Sequence, residues 1–128
     1  MSLRDTLRVM VIDDMSVSRA LITQSLEELG ITKYQTENDG HAALGKLVAA
    51  PVHLALCDMN MPGMNGLELL HALRNNKTTA RIGFILITGQ PTPELLRIGQ
   101  ELGLNNLIRK PFTTATMKAS IERVVGPL

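Results

Sequence analysis

Three aspartates, a threonine and a lysine in this sequence each follow a short apolar run, and together they could move a phosphoryl group. Asp13 and Asp14 end the run Arg8–Ile12, Asp58 ends His53–Cys57, Thr88 follows Gly83–Ile87, and Lys110 follows Asn106–Arg109. Three carboxylates in one cleft repel one another, so at least one should have a raised pKa unless a cation is bound. A few carboxylates, waters and a phosphate oxygen make an all-oxygen donor set, which favours Mg²⁺. A carboxylate can also attack phosphorus to give an aspartyl-phosphate, and a metal would neutralise the charge developing on the transferring group. Lys110 supplies a positive charge to a phosphoryl oxygen, and Thr88 supplies a hydroxyl donor. Asn60, two residues after Asp58, can offer its backbone carbonyl to the metal or its amide to the phosphoryl group. Taken singly these signals are weak. An Asp-Asp pair is usually a solvated turn, a Lys-Pro step a helix stop, and a Thr after a strand a cap. Their joint placement at strand ends is what points to a site.

The elements that must position them alternate regularly. Strands are expected at Arg8–Ile12, Lys33–Glu37, His53–Cys57, Gly83–Ile87 and Asn106–Arg109. Between them the pattern is helical: Ser16–Leu29, Ala42–Ala50, Leu67–Arg74 and Pro93–Leu102, with a last helix running through Val125. Ser16 is the expected N-cap of the first helix and Gly30 its stop, Pro51 ends the second, Pro93 suits a first turn, and Thr113 or Thr114 caps the last. Asn38-Asp39-Gly40, Pro62-Gly63 and Asn65-Gly66 mark turns and loops. Apolar strands alternating with helices predict an α/β fold, a parallel sheet covered on both faces. Such sheets bind ligands beyond the carboxyl ends of their strands, where Asp13, Asp14, Asp58, Thr88 and Lys110 stand.

These residues lie in motifs that resemble the receiver domains of two-component signalling over nearly the whole chain, from about Arg8 to Val125. The motifs are VMVIDD (Val9–Asp14), LALCDMNMPGMNG (Leu54–Gly66), ILITG (Ile85–Gly89) and KPF (Lys110–Phe112). The likeness is greatest to stand-alone, chemotaxis-type receivers. It implies a doubly wound, flavodoxin-like (βα)5 fold with strand order 2-1-3-4-5. It also implies that Asp58 is the phosphoacceptor and that Asp13, Asp14, Asp58 and the Asn60 carbonyl hold Mg²⁺. Thr88 would bind the phosphoryl group once formed, with Gly89 leaving it open, and Lys110 would bridge to the acceptor. The donor would be a sensor histidine kinase and the output a protein target of unknown identity, bound by a monomer or weak dimer. Two positions depart from the usual pattern. Leu107 stands where an aromatic often serves as a switch, and Asn65 replaces a more usual Asp.

Composition narrows the classes. The 128 residues suit one domain, residues 1–128, and 45% apolar with 20% charged residues is ordinary globular usage. A net charge of +1, no Trp, one Tyr and two Phe give neither the basic excess nor the stacking surface of a nucleic-acid binder. No apolar run approaches the ~18 residues of a spanning helix, and MSLRDTLR lacks the apolar stretch of a secretory signal, so a cytoplasmic protein without membrane insertion is expected. Cys57, the only cysteine, reads as a buried core thiol. His41, His53 and His71 lack metal-ligand spacing. A phosphatase with an aspartyl nucleophile commonly carries a second acid where Asn60 stands, so turnover of an external substrate is disfavoured. A flavodoxin-type electron carrier would need a Ser/Thr/Gly-rich first loop and aromatics for the flavin; the loop here is Asp-Asp-Met-Ser.

Overall fold

The computed structural model describes residues 2–128. Five parallel strands, β1 (Val9–Ile12), β2 (Tyr34–Glu37), β3 (Leu54–Asp58), β4 (Gly83–Thr88) and β5 (Asn106–Arg109), pair in the order β2-β1-β3-β4-β5. Six helices accompany them: α1 (Leu3–Thr6), α2 (Ser16–Glu28), α3 (Gly40–Ala49), α4 (Gly66–Arg74), α5 (Pro93–Glu101) and α6 (Thr114–Val125). The expected doubly wound topology is therefore what the chain adopts.

Alternation along each strand sorts side chains to two cores. Met10, Ile12, Ala55, Cys57, Phe84 and Leu86 meet Ala43, Leu47, Leu69, Leu70 and Leu73 of α3 and α4 on one face. Val9, Val11, Leu54, Leu56, Ile85 and Ile87 meet Ile22, Leu26, Met117 and Ile121 of α2 and α6 on the other. Covering both faces requires β1, and β3 up to its terminal Asp58, to be apolar, and both strands are buried throughout. Helix α5 is the least embedded of the long helices, with only Gly99 buried.

The boundaries differ from the sequence reading in informative places. Asp58 is the last residue of β3 and stands opposite Ile87, so this acid is held by the sheet instead of following it. The first residue of α2 is Ser16, and Met15, not Ser16, occupies the N-cap with no capping side chain. The first intrahelical bond runs from Arg19 N to the Met15 carbonyl at 2.9 Å, so the helix starts one residue earlier than a Ser16 cap would allow, and Asp13 Oδ1 accepts the N-cap's own N–H from Met15 at 3.0 Å. Asp39 caps α3 by accepting from Ala42 N, so that helix starts at Gly40. Asn65 and Glu68 form a reciprocal capping box on α4. Asn65, the departure noted in the sequence, thus secures the helix that follows the Asp58 loop. Thr92 and Thr113 cap α5 and α6.

Candidate active site

At the carboxyl end of the sheet, β1 delivers Asp13 and Asp14, β3 delivers Asp58, β4 delivers Thr88, and the turn after β5 delivers Lys110. Backbone hydrogen bonds tie the ends together: Met59 N donates to the Ile87 carbonyl at 3.0 Å and Lys110 N to the Thr88 carbonyl at 2.8 Å. Gly66 completes the frame. Its N–H donates to the Met59 carbonyl at 3.0 Å, and a Cβ there would lie 2.8 Å from the Asp58 carbonyl oxygen and 2.5 Å from Leu86 Cδ1. Only glycine lets α4 start against the peptide of Asp58.

One carboxylate oxygen from each of Asp13, Asp14 and Asp58 lies within 4.8 Å of the others. Asp13 is fully buried and Asp58 nearly so. Lys110 Nζ donates to Asp58 Oδ1 at 2.5 Å and stands 3.8 Å from Asp13 Oδ2. Asn60 N donates to Asp58 Oδ2 at 3.0 Å. Burial pushes the Asp58 carboxyl above the usual carboxylate range; Lys110, through its hydrogen bond and its charge, pulls it partly back, and the Asp13 charge raises it further. Single positive charge against three acids leaves the cluster under-compensated.

Two buried oxygens show where compensation is missing: Asp13 Oδ2 and Asp14 Oδ1 have no hydrogen-bond partner. A buried carboxylate oxygen without a donor is costly, and two of them in a cluster of three aspartates suit a hard divalent cation. The residues present therefore fit a Mg²⁺ site. Saturation at ten times the dissociation constant should stabilise the fold by about 1.4 kcal/mol, read as a rise in the thermal midpoint. Asp14→Ala should reduce that rise. A midpoint insensitive to Mg²⁺ would rule the metal site out.

Thr88 is buried, and its Oγ1 accepts from Gln90 N at 3.1 Å. Gly89 beside it is exposed, with nothing within 4 Å of a Cβ built there, so the mouth over Thr88 is open. Leu107 pairs with Leu86 across β5 and β4 and packs on the core that holds Leu86, Leu95 and Ile98. Cys57 is buried, and burial pushes its thiol well above its ordinary range, as expected of a core cysteine. Of the histidines, His53 Nδ1 accepts from Arg8 N at 2.9 Å at the opposite end of the sheet, and none joins the acidic cluster.

Two contacts escaped the sequence reading. Ser18 Oγ accepts from Lys110 Nζ at 3.0 Å, and Arg19 Nη1 donates to the Asp13 carbonyl at 2.7 Å. Both come from the first turns of α2, where a serine and an arginine look like ordinary surface residues; only the 92-residue separation closed by the fold reveals the first.

Comparison with known proteins agrees with this geometry. The sequence profile of the response regulator receiver domain matches residues 9–122. A probable chemotaxis protein CheY of Rhizobium etli is 38% identical over 128 residues, covering 100% of this chain and 99% of the relative. Chemotaxis protein CheY-3 of Vibrio cholerae is 30% identical over 122 residues, 95% of this chain and 94% of the relative. Among solved structures, Vibrio cholerae chemotaxis protein CheY4 superposes with a TM-score of 0.86 at 28% identity, covering 92% of this chain and 98% of that one. The receiver domain of a sensor histidine kinase from Pseudomonas aeruginosa, solved with a magnesium ion coordinated in its active-site cleft, shares the fold with a TM-score of 0.84 at 21% identity, covering 94% of this chain and 98% of that one.

Proposed function

Because this chain belongs to the response regulator receiver family, whose members are phosphorylation-dependent signalling switches, we propose that its phosphoacceptor is Asp58 and its donor the phosphohistidine of a sensor kinase. The observation that carries the assignment is the contact of Lys110 Nζ with Asp58 Oδ1 at 2.5 Å beside the orphaned oxygens of Asp13 and Asp14. Asp13, Asp14, Asp58 and the Asn60 carbonyl would hold Mg²⁺, which when bound supplies the positive charge that offsets the transferring phosphoryl group.

In the transfer, an Asp58 carboxylate oxygen forms the new bond to phosphorus while the phosphorus–nitrogen bond of the phosphohistidine breaks, its electron pair returning to the imidazole. Lys110 neutralises one oxygen of the acceptor and Asn60 N–H orients the other. Thr88, whose Oγ1 accepts from Gln90 N, then turns its hydroxyl proton to donate to the phosphoryl oxygen, because a hydrogen bond to an ionised acceptor is stronger than a neutral one. Gly89 leaves that oxygen open to water or a partner. Without a second acid at Asn60, the chain assists its own phosphorylation and dephosphorylation and turns over no external substrate.

The donor must bring a histidine to the mouth of this cleft. Met15, Val17 and Leu21, at the head of α2 next in sequence to Asp13 and Asp14, are 61%, 72% and 54% exposed, and Leu21 lines a groove with Ser18 and Lys110; these apolar side chains would give a donor protein a surface to dock on. Residues 1–128 act as one receiver unit, in the cytoplasm where the kinase domains reside, and relay the signal by altered protein–protein binding of a chemotaxis type, as a monomer or weak dimer. Among the described residues no helix is long and apolar enough to cross a membrane.

The test is direct labelling. With Mg²⁺ and a small phosphodonor the protein should gain one phosphoryl group, which peptide mapping by mass spectrometry should place on Asp58. Stable label elsewhere with Asp58 unmodified would refute the assignment.

A further inference from the structure

We propose that Ser18 is a positioning residue for Lys110, holding the ammonium against the Asp58 carboxylate. The inference rests on the reading of Asp58 as phosphoacceptor. A lysine ammonium is a compact charge with three donors on a flexible four-carbon stem, so its place in a half-open site depends on the acceptors that surround it. Here there are two: Asp58 Oδ1 at 2.5 Å and Ser18 Oγ at 3.0 Å. Asp13 Oδ2, at 3.8 Å, is beyond hydrogen-bond distance.

That arrangement is directional. If Ser18 is removed, the freed donor has water or Asp13 to turn to, and a swing toward Asp13 draws the charge off the acceptor and onto an oxygen proposed for the metal. Water can compete, because Lys110 and Ser18 also line a groove of about 520 Å³ running between α2 and Phe112–Thr114. Ser18 itself is well placed to resist such a swing. It sits in the first turn of α2, whose start is fastened to Asp13 by Met15 N and Arg19 Nη1 at 3.0 and 2.7 Å. The serine, the metal-side acid and the helix therefore move as one frame. When the acceptor becomes an acyl phosphate, the ammonium must re-aim from a carboxylate oxygen to a phosphoryl oxygen, and Ser18 is the contact it keeps during that exchange.

The experiment compares wild type, Ser18→Ala and Ser18→Thr by two readouts: the rate of Asp58 labelling from acetyl phosphate with Mg²⁺, and the ¹H–¹⁵N resonance of the Lys110 ammonium. Ser18→Ala should slow labelling roughly three- to tenfold, the size of one ordinary net hydrogen bond, because water from the groove can take the place of the lost acceptor. It should also broaden or shift the Lys110 resonance, and Ser18→Thr, which keeps the hydroxyl, should restore both. An unchanged rate and resonance in Ser18→Ala overturns the proposal. So does a slowed rate that Ser18→Thr fails to rescue while the Lys110 resonance stays put, since that pattern belongs to packing of α2. If wild type is not labelled on Asp58, the functional reading fails, and the ammonium resonance alone still decides whether Ser18 holds Lys110.

Discussion

Asp58→Asn is expected to abolish labelling completely and, in the absence of Mg²⁺, to raise the thermal midpoint of the protein at neutral pH. Loss of label follows from the loss of the nucleophile: an amide oxygen carries no charge to donate to phosphorus. The gain in stability follows from burial, which holds the Asp58 carboxyl above its ordinary range despite Lys110. An acid whose folded pKa exceeds its unfolded value keeps its proton more tightly in the native state. The fold is therefore unburdened below about pH 3.9, loses stability as the pH rises from there to the folded pKa, and carries the full cost above it. Asparagine carries none of it, and Lys110 keeps Ser18 as an acceptor at 3.0 Å. Melting curves of both proteins without metal should thus diverge as pH rises, with the variant the more stable. The Mg²⁺-induced rise seen in wild type should shrink in the variant, which has one acid fewer for the metal. Residual label on Asp58→Asn, or a variant that melts below wild type at neutral pH, would contradict this account.

Thr88→Ala should still accept phosphate while losing most of the coupling between the site and the rest of the molecule, a term of about 1–3 kcal/mol in systems of this kind. Thr88 is buried at the end of β4 and shares a strand face with Leu86. Leu86 pairs with Leu107 on β5, and both belong with Leu95, Ile98 and Leu102 of the α5 region to one core. Turning the hydroxyl toward the phosphoryl group vacates space on that face. Leu107 has no hydroxyl to alternate between a buried and an exposed partner, so it can only repack, and the response is expected in the backbone of β5 and α5. Helix α5 is the element free to follow, since it buries only Gly99. Chemical-shift mapping with a beryllofluoride phosphoryl mimic should show perturbations spreading from the Asp58 pocket through Leu107 to α5 in wild type, and confined to the pocket in Thr88→Ala. Equal spread in both proteins would show that the signal leaves by another route.

What could be read along the chain was whatever depends on periodicity and local chemistry. Apolar runs that end in Asp13, Asp14, Asp58, Thr88 and Lys110 announce buried parallel strands and a site at their carboxyl ends, because a strand covered on both faces must be apolar throughout and its polar residues can appear only where the cover stops. Strand and helix order followed from the same pattern, and the motifs around those residues identified the family.

Only the tertiary structure decided how the site is held. That Met15 and not Ser16 heads α2 showed only in the backbone, where the Met15 carbonyl accepts from Arg19 N at 2.9 Å while Asp13 Oδ1 accepts the Met15 N–H at 3.0 Å. The glycine at position 66 looked like a loop marker, and its need for a bare Cα became visible only when α4 was seated against the Asp58 peptide. Ser18 carried no signal at all, for its partner Lys110 lies 92 residues away. Hydrophobic patterning is a local property that survives in the string, whereas hydrogen bonds between side chains far apart in sequence exist only after the sheet has brought the strand ends within a few ångströms of one another.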